Sequence, residues 1–110
     1  MKFIKKVRPL GNLFDSEHEY WELQGGFIAT VSAEHNDNIV SILINDNDKN
    51  NYLPPVERCR KEEQFARKIQ KKINNIKIDY GIDAVYMICS KDQLMDVLTE
   101  IERHINNQDW

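Results

Sequence analysis

From Phe27 to Glu34 apolar side chains return at every second position, and after a short polar break a β-branched run follows to Ile44, a pattern that points to a β-hairpin in the middle of the chain. Phe27, Ala29, Val31 and Ala33 fall on one face, and Ile28, Thr30, Ser32 and Glu34 on the other. The break, His35-Asn36-Asp37-Asn38, has turn chemistry, because Asn and Asp side chains bond nearby backbone and tolerate left-handed conformations. Ile39-Val40-Ser41-Ile42-Leu43-Ile44 then supplies a β-branched partner strand.

The period changes after the polar loop from Asn45 to Asn51. Pro55 suits a first helical turn, and no Gly or Pro interrupts Val56 to Asn75. Cys59, Ala66, Ile69, Ile73 and Ile76 form an apolar stripe with Phe65 beside it, while Arg58, Lys61, Lys68, Lys71 and Lys72 take other faces, so a basic amphipathic helix is expected. After a turn at Asp79-Tyr80-Gly81, the apolar middle of Asp83 to Ser90 predicts an interior strand covered on both faces and neighbouring the hairpin. Ser90-Lys91-Asp92-Gln93 is a capping-box sequence. It opens a last helix that buries Leu94, Leu98, Ile101 and Ile105, with Met95 and Val97 flanking and Asp92, Asp96, Glu100 and Glu102 turned outward, ending near Asn106-Asn107.

Ahead of the hairpin, Phe3 to Arg8 reads as a short strand stopped by Pro9 and Gly11, followed by a loop to about Glu19. Tyr20 to Leu23 is a further candidate strand, with a bulge or turn at Gly25-Gly26. The order β-(β)-β-β-α-β-α predicts an α+β fold: a mixed or antiparallel sheet of about four to five strands with two helices on one face, in a single domain over 1–110. Hydrophobic residues at 41% and charged residues at 30% suit one packed core and argue against disordered or fibrous structure. The longest apolar run, Ala84 to Cys89, falls far short of the roughly 20 residues that cross a bilayer, and Met1 to Lys6 lacks a signal-peptide core. A cytoplasmic chain without membrane contact is expected, with Cys59 and Cys89 as reduced, buried thiols.

Charge is arranged in blocks that the net value of −3 conceals. Residues 1–11 carry +4; 12–48 hold eight acids and no Lys or Arg; 49–77 sum to +6; 78–110 sum to −5. The base-free block contains Asp15, Glu17, Glu19, Glu22, Glu34, Asp37, Asp46 and Asp48 around the aromatic pair Tyr20-Trp21. Such a field steers association with a cationic partner. The basic helix, with Lys61, Arg67, Lys68, Lys71 and Lys72, has the residues to follow a phosphate backbone, but nucleic-acid binding ordinarily goes with a basic domain and this chain is acidic.

Motifs of catalysis are thin. His18, His35 and His104 share no metal-ligand spacing and read as solvated side chains. Glu17-His18-Glu19 offers an acid–base pair at most, and the Gly25-Gly26 pair precedes a strand, where a phosphate or dinucleotide loop needs a helix. Asp46-x-Asp48-x-Asn50 with Glu57 at the twelfth position matches calcium-loop spacing, yet Asn51 stands where Gly is needed, Pro54-Pro55 interrupts the loop, and the entering pattern is β. Neither a cofactor nor a metal is expected.

Small size, acidic balance and this lack of catalytic motifs, in a composition rich in Asn and Lys like that of AT-rich bacterial genomes, make the chain similar to the small immunity proteins that neutralise bacterial toxins, including those of contact-dependent growth inhibition. The resemblance implies a non-catalytic inhibitor that covers a toxin, such as a nuclease, with its acidic surface. Glu17, Glu19, Tyr20, Trp21, Glu22, Glu34, Asp37, Asp46 and Asp48 are the expected contact residues, with Tyr52 a further aromatic candidate. The competing readings are a phage-encoded inhibitor of host defence, a small hydrolase using Glu17 and His18, and a calcium-binding module.

Overall fold

Strand pairing dominates the architecture. The computed structural model describes residues 2–7, 17–33, 38–45, 54–81 and 84–106, with backbone alone at 5–7, 17, 45 and 55. Six strands, β1 (Lys2–Val7), β2 (Glu17–Glu22), β3 (Ile28–Ala33), β4 (Ile39–Asn45), β5 (Lys77–Gly81) and β6 (Ala84–Ser90), form one antiparallel sheet in the order β1-β2-β3-β4-β6-β5. Helix α1 (Pro55–Lys72) lies between β4 and β5, and α2 (Leu94–Asn106) follows β6.

The expected hairpin is β3 and β4, with Ala29 opposite Ile44 and Val31 opposite Ile42. These four side chains, with Val40, Met87 and Cys89, form one buried cluster with Phe65, Ala66 and Ile69 of α1 and Val97, Leu98, Ile101 and Ile105 of α2. Both helices therefore cover the same sheet face. Phe65, Ile69, Leu98 and Ile101 are essentially inaccessible, and each such side chain contributes roughly 1.5–3 kcal/mol through burial.

Three expectations are corrected. The strand count is six, because Lys77-Ile78-Asp79-Tyr80-Gly81, whose last three residues were read as a turn, is an edge strand paired with β6. Helix α1 stops at Lys72 to make room for it: Ile73 leaves helical geometry, and Asn75 turns the chain with φ of 66°, a conformation that Asn tolerates better than most residues. Strand β6 is interior laterally, but the described helices cover one face only, with Val85, Met87 and Cys89 buried there and Ala84, Tyr86, Ile88 and Ser90 half-buried on the other. Glu100 does not face outward; it is 8% exposed, with Arg103 Nη1 at 2.9 Å and His104 Nε2 at 3.3 Å from its carboxylate oxygens.

Local signals act as their chemistry requires. Gly25 and Gly26 both have positive φ (73° and 83°) in a single 3₁₀ turn, which allows the Leu23 N–H to donate to the Phe27 carbonyl at 2.8 Å and carries the chain from β2 into β3. The C-terminal half of α2 sits over this turn, and the Glu102 carboxylate accepts the Gln24 N–H at 3.3 Å. At the start of α2, the Ser90 N–H donates to Gln93 Oε1 at 3.3 Å while Gln93 Nε2 donates to the Asn74 carbonyl at 2.7 Å, joining the cap to the end of α1. Cys89 is buried and Cys59 half-buried, with no disulfide between them, and burial pushes the Cys89 thiol up from its ordinary pKa.

The two sheet edges are closed in different ways. Strand β1 carries a register shift between Phe3 and Lys5, with Lys2, Lys5 and Lys6 along it. Strand β5 is five residues long, and the Tyr80 N–H is taken by the Asp79 carboxylate at 2.9 Å.

Candidate functional site

The expected acidic face begins on β2, and there the pleat divides it. Trp21 pairs with the fully buried Ala29, packs against the core cluster and meets Phe3 edge-on with ring centroids 5.2 Å apart. Tyr20 pairs with Thr30 and faces the opposite side. Glu19 and Trp21 thus share the helix-covered side of the sheet, while His18, Tyr20 and Glu22 share the uncovered side; of Glu17 only the backbone, paired with Ala33, is described. The Trp21 indole N–H is buried without an acceptor among the described residues, which makes this ring part of the packing at the β1–β2 end. Glu34, Asp37, Asp46, Asp48 and Tyr52 lie outside the described residues, as does His35 and most of the calcium-like loop. What is described of that loop is its flanks, the strand β4 before it and Glu57 in the first turn of α1.

The linear charge block is also offset in space. Strand β1 lies antiparallel to β2 with Lys2 opposite Glu22. Opposite charges at facing positions reduce each other's field, so Glu22 presents less negative potential than a base-free stretch of sequence implies.

The uncovered face is the more informative surface. Rows run across it: Tyr20, Thr30 and Leu43; His18, Ser32, Ser41 and Ile88; Glu22 and Ile28; and Tyr86 with Asp79. Most of these side chains are half-buried by their neighbours on the sheet, and Ile39 at the margin is 50% exposed. No helix among the described residues lies on this side. Gly81 makes room for the Tyr86 ring: a Cβ there would stand 2.7 Å from a ring carbon. Lys2, Glu22, Lys77 and Asp79 supply exposed charges of both signs around the apolar and hydroxyl centre.

His18, expected to be solvated, is half-buried on the sheet. Its Nδ1 lies 2.8 Å from the Ser32 hydroxyl, and strand alternation places Glu19 on the other face. A Ser–His contact of this length is what a nucleophile and its base require. Acyl transfer also requires N–H donors for the developing oxyanion, and β3 is flanked by β2 and β4, which engage its backbone on both sides. The contact therefore fixes the imidazole on the sheet. Likewise, the expected solvated His104 packs edge-on to Phe65, with centroids 6.1 Å apart, beside Glu100.

At the α1–β5 boundary, Glu63 accepts from Arg67 at 2.7 Å and from the Tyr80 hydroxyl at 2.8 Å. The Arg67 bond, followed by the Tyr80 bond, holds the Glu63 carboxyl below its usual pKa, and the same contacts raise Arg67 and Tyr80. No group of three or more His, Cys, Asp or Glu side chains able to hold a metal occurs among the described residues. No helix among them is long and apolar enough to cross a membrane. Comparison of the chain with protein-family models, curated proteins and solved structures returns no match.

Proposed function

We propose that this protein is a non-catalytic inhibitor of the toxin-immunity kind, which occludes a protein toxin by docking through the uncovered face of its sheet. The observation that supports this reading is that face itself: Tyr20, Ile28, Leu43, Tyr86 and Ile88 stand on one face of an antiparallel sheet, and among the described side chains Lys2, Glu22, Lys77 and Asp79 place charges at its rim. An apolar patch with a polar rim is the usual anatomy of a protein interface, and tyrosines anchor such interfaces with little loss of side-chain entropy. Sequence charge supplies the second component: eight acids without a base over 12–48 favour a partner with a cationic groove, and Glu22 brings one of them to the rim.

The test is reconstitution. A partner captured from the source cell is purified, mixed with this protein, and assayed for a one-to-one complex and loss of the partner's activity. Tyr20→Ala and Tyr86→Ala are expected to raise the dissociation rate about tenfold or more, as anchors do. Glu22→Lys is expected to slow association and weaken its salt dependence, as rim charges do. A complex indifferent to all three variants sinks this reading, whatever the partner's identity.

A further inference from the structure

The solvent side of α1 differs in kind from the uncovered sheet face. At about 100° per residue, Arg60, Arg67 and Lys71 form one row along the helix, and Lys61, Lys68 and Lys72 form a second beside it, each with spacings of seven and then four residues. All six are exposed. Among the described residues Glu57, near the N-terminus, is the one acid on that side; Glu62 and Glu63 are half-buried on the flank, and Glu63 is held by Arg67 and Tyr80. Gln64 is the neutral position between the rows, and between Arg60 and Lys72 no apolar side chain interrupts them, because Phe65, Ala66 and Ile69 are buried in the core; the exposed Val56 stands one turn before Arg60, outside the rows.

We propose that this face binds the phosphodiester backbone of nucleic acid, without sequence preference. From Arg60 to Lys72 the helix rises about 18 Å, and duplex DNA carries about one charge per 1.7 Å of its axis, so each cation can meet a phosphate. Charge alone supports such binding, through release of condensed counterions. A protein partner would need aromatic or aliphatic anchors, and a membrane surface would need apolar side chains that enter it; the two rows offer neither. The net charge of −3 does not oppose this, because local charge governs the interaction. The molecule measures 38 by 29 by 24 Å, while charges are screened over about 10 Å at 0.1 M salt, so acids on the far side of the sheet contribute little. Asp92 and Asp96, exposed at the start of α2, limit the bound strand to α1.

Fluorescence anisotropy with a labelled duplex DNA and a labelled single-stranded RNA, each of about 20 nucleotides in length, tests this between about 50 mM and 200 mM salt. Binding is expected at low salt, with log affinity falling against log salt at a slope of about −3 to −4, which counts the cations of the two rows other than Lys68 and the Glu63-engaged Arg67. The double variants Arg60→Glu/Lys71→Glu and Lys61→Glu/Lys72→Glu should each lower affinity at least about tenfold and flatten the slope by about 2. The control Lys2→Glu/Lys77→Glu, on the other face, should change affinity less than about twofold, and Tyr86→Ala should leave it unchanged, which separates this proposal from the sheet-face reading. Unaltered urea midpoints establish that the variants fold. Absence of binding at low salt, an equal loss in the control pair, or capture by anionic phosphatidylglycerol vesicles but by neither nucleic acid overturns the proposal.

Discussion

The two faces of the sheet are built from the same six strands yet work under different constraints. The covered face is a sealed apolar layer: Ala29, Val31, Val40, Ile42, Met87 and Cys89 against two helices. The uncovered face mixes Tyr20, Ile28, Leu43, Tyr86 and Ile88 with Thr30, Ser32 and Ser41, all half-buried by lateral packing. Interior close packing penalises any change of volume, whereas a surface that still touches water tolerates it. Among the described residues the fold is therefore held mainly from one side, and substitutions on the other side are expected to cost less.

Paired truncations would break or sharpen this contrast. Leu98→Ala, in the sealed layer, is expected to cost about 3–5 kcal/mol, and Leu43→Ala, on the uncovered face, about 1 kcal/mol, read from urea denaturation. Equal costs would mean that the two faces are equally sealed. Glu100→Gln comes next, at about 1–3 kcal/mol, because it weakens charge-assisted contacts to Arg103 and His104 at a nearly buried carboxylate. A neutral result by the same measurement would show those contacts to be without net worth.

A smaller effect is expected at the β5 edge. The folded Glu63 carboxyl is held below its ordinary pKa, so its contribution is present above the usual carboxylate range and is lost as pH falls through the depressed value. Tyr80 is raised, so its part is kept below the usual phenol range and lost as pH rises through the elevated value. Amide exchange should show β5 losing severalfold protection relative to β3 and β4 at acidic pH, and again at strongly alkaline pH; uniform loss across the sheet would remove the triad from the account. Smallest of all is Gly81→Ala, which crowds the Tyr86 ring but can be relieved by moving the ring's outer edge. A cost under about 1 kcal/mol is expected, vanishing in a Tyr86→Ala background; a cost that persists there would place the constraint in the backbone.

Much of the fold was legible in the sequence because the signals were local. Alternation from Phe27 to Glu34 and the β-branched run to Ile44 predict the hairpin, the unbroken stretch from Val56 predicts α1, and Ser90 with Gln93 predicts the start of α2. Strand β5 was hidden because Ile76 continues the helical stripe and Asp79-Tyr80-Gly81 carries turn residues; only pairing with β6 makes it a strand. The apolar run of β6 suggested two covered faces because Tyr86 and Ile88 are apolar on a side that no described helix covers. Glu100 was assigned outward by its charge, when its position in the turn after Val97 and beside Ile101 places it at the helix boundary. The candidate site was less legible, since neighbours in sequence alternate across a sheet: Tyr20 and Trp21 look like one aromatic patch and stand on opposite faces. Lys2, which faces Glu22, lies well upstream in the chain, beyond the reach of any local pattern.

The treatment of the two edge strands has a consequence for how such a protein can evolve. A bulge and three lysines on β1, and a short β5 whose Tyr80 N–H is satisfied by Asp79, leave little open backbone to template another strand. Backbone pairing is indifferent to side-chain identity and so admits many partners, including further copies of the same chain. With that route obstructed, any binding proposed for this chain falls to side chains on faces and helices, where a single substitution alters one contact and leaves the ladder intact. The scaffold can then change its surface residue by residue without opening an edge to fibril growth.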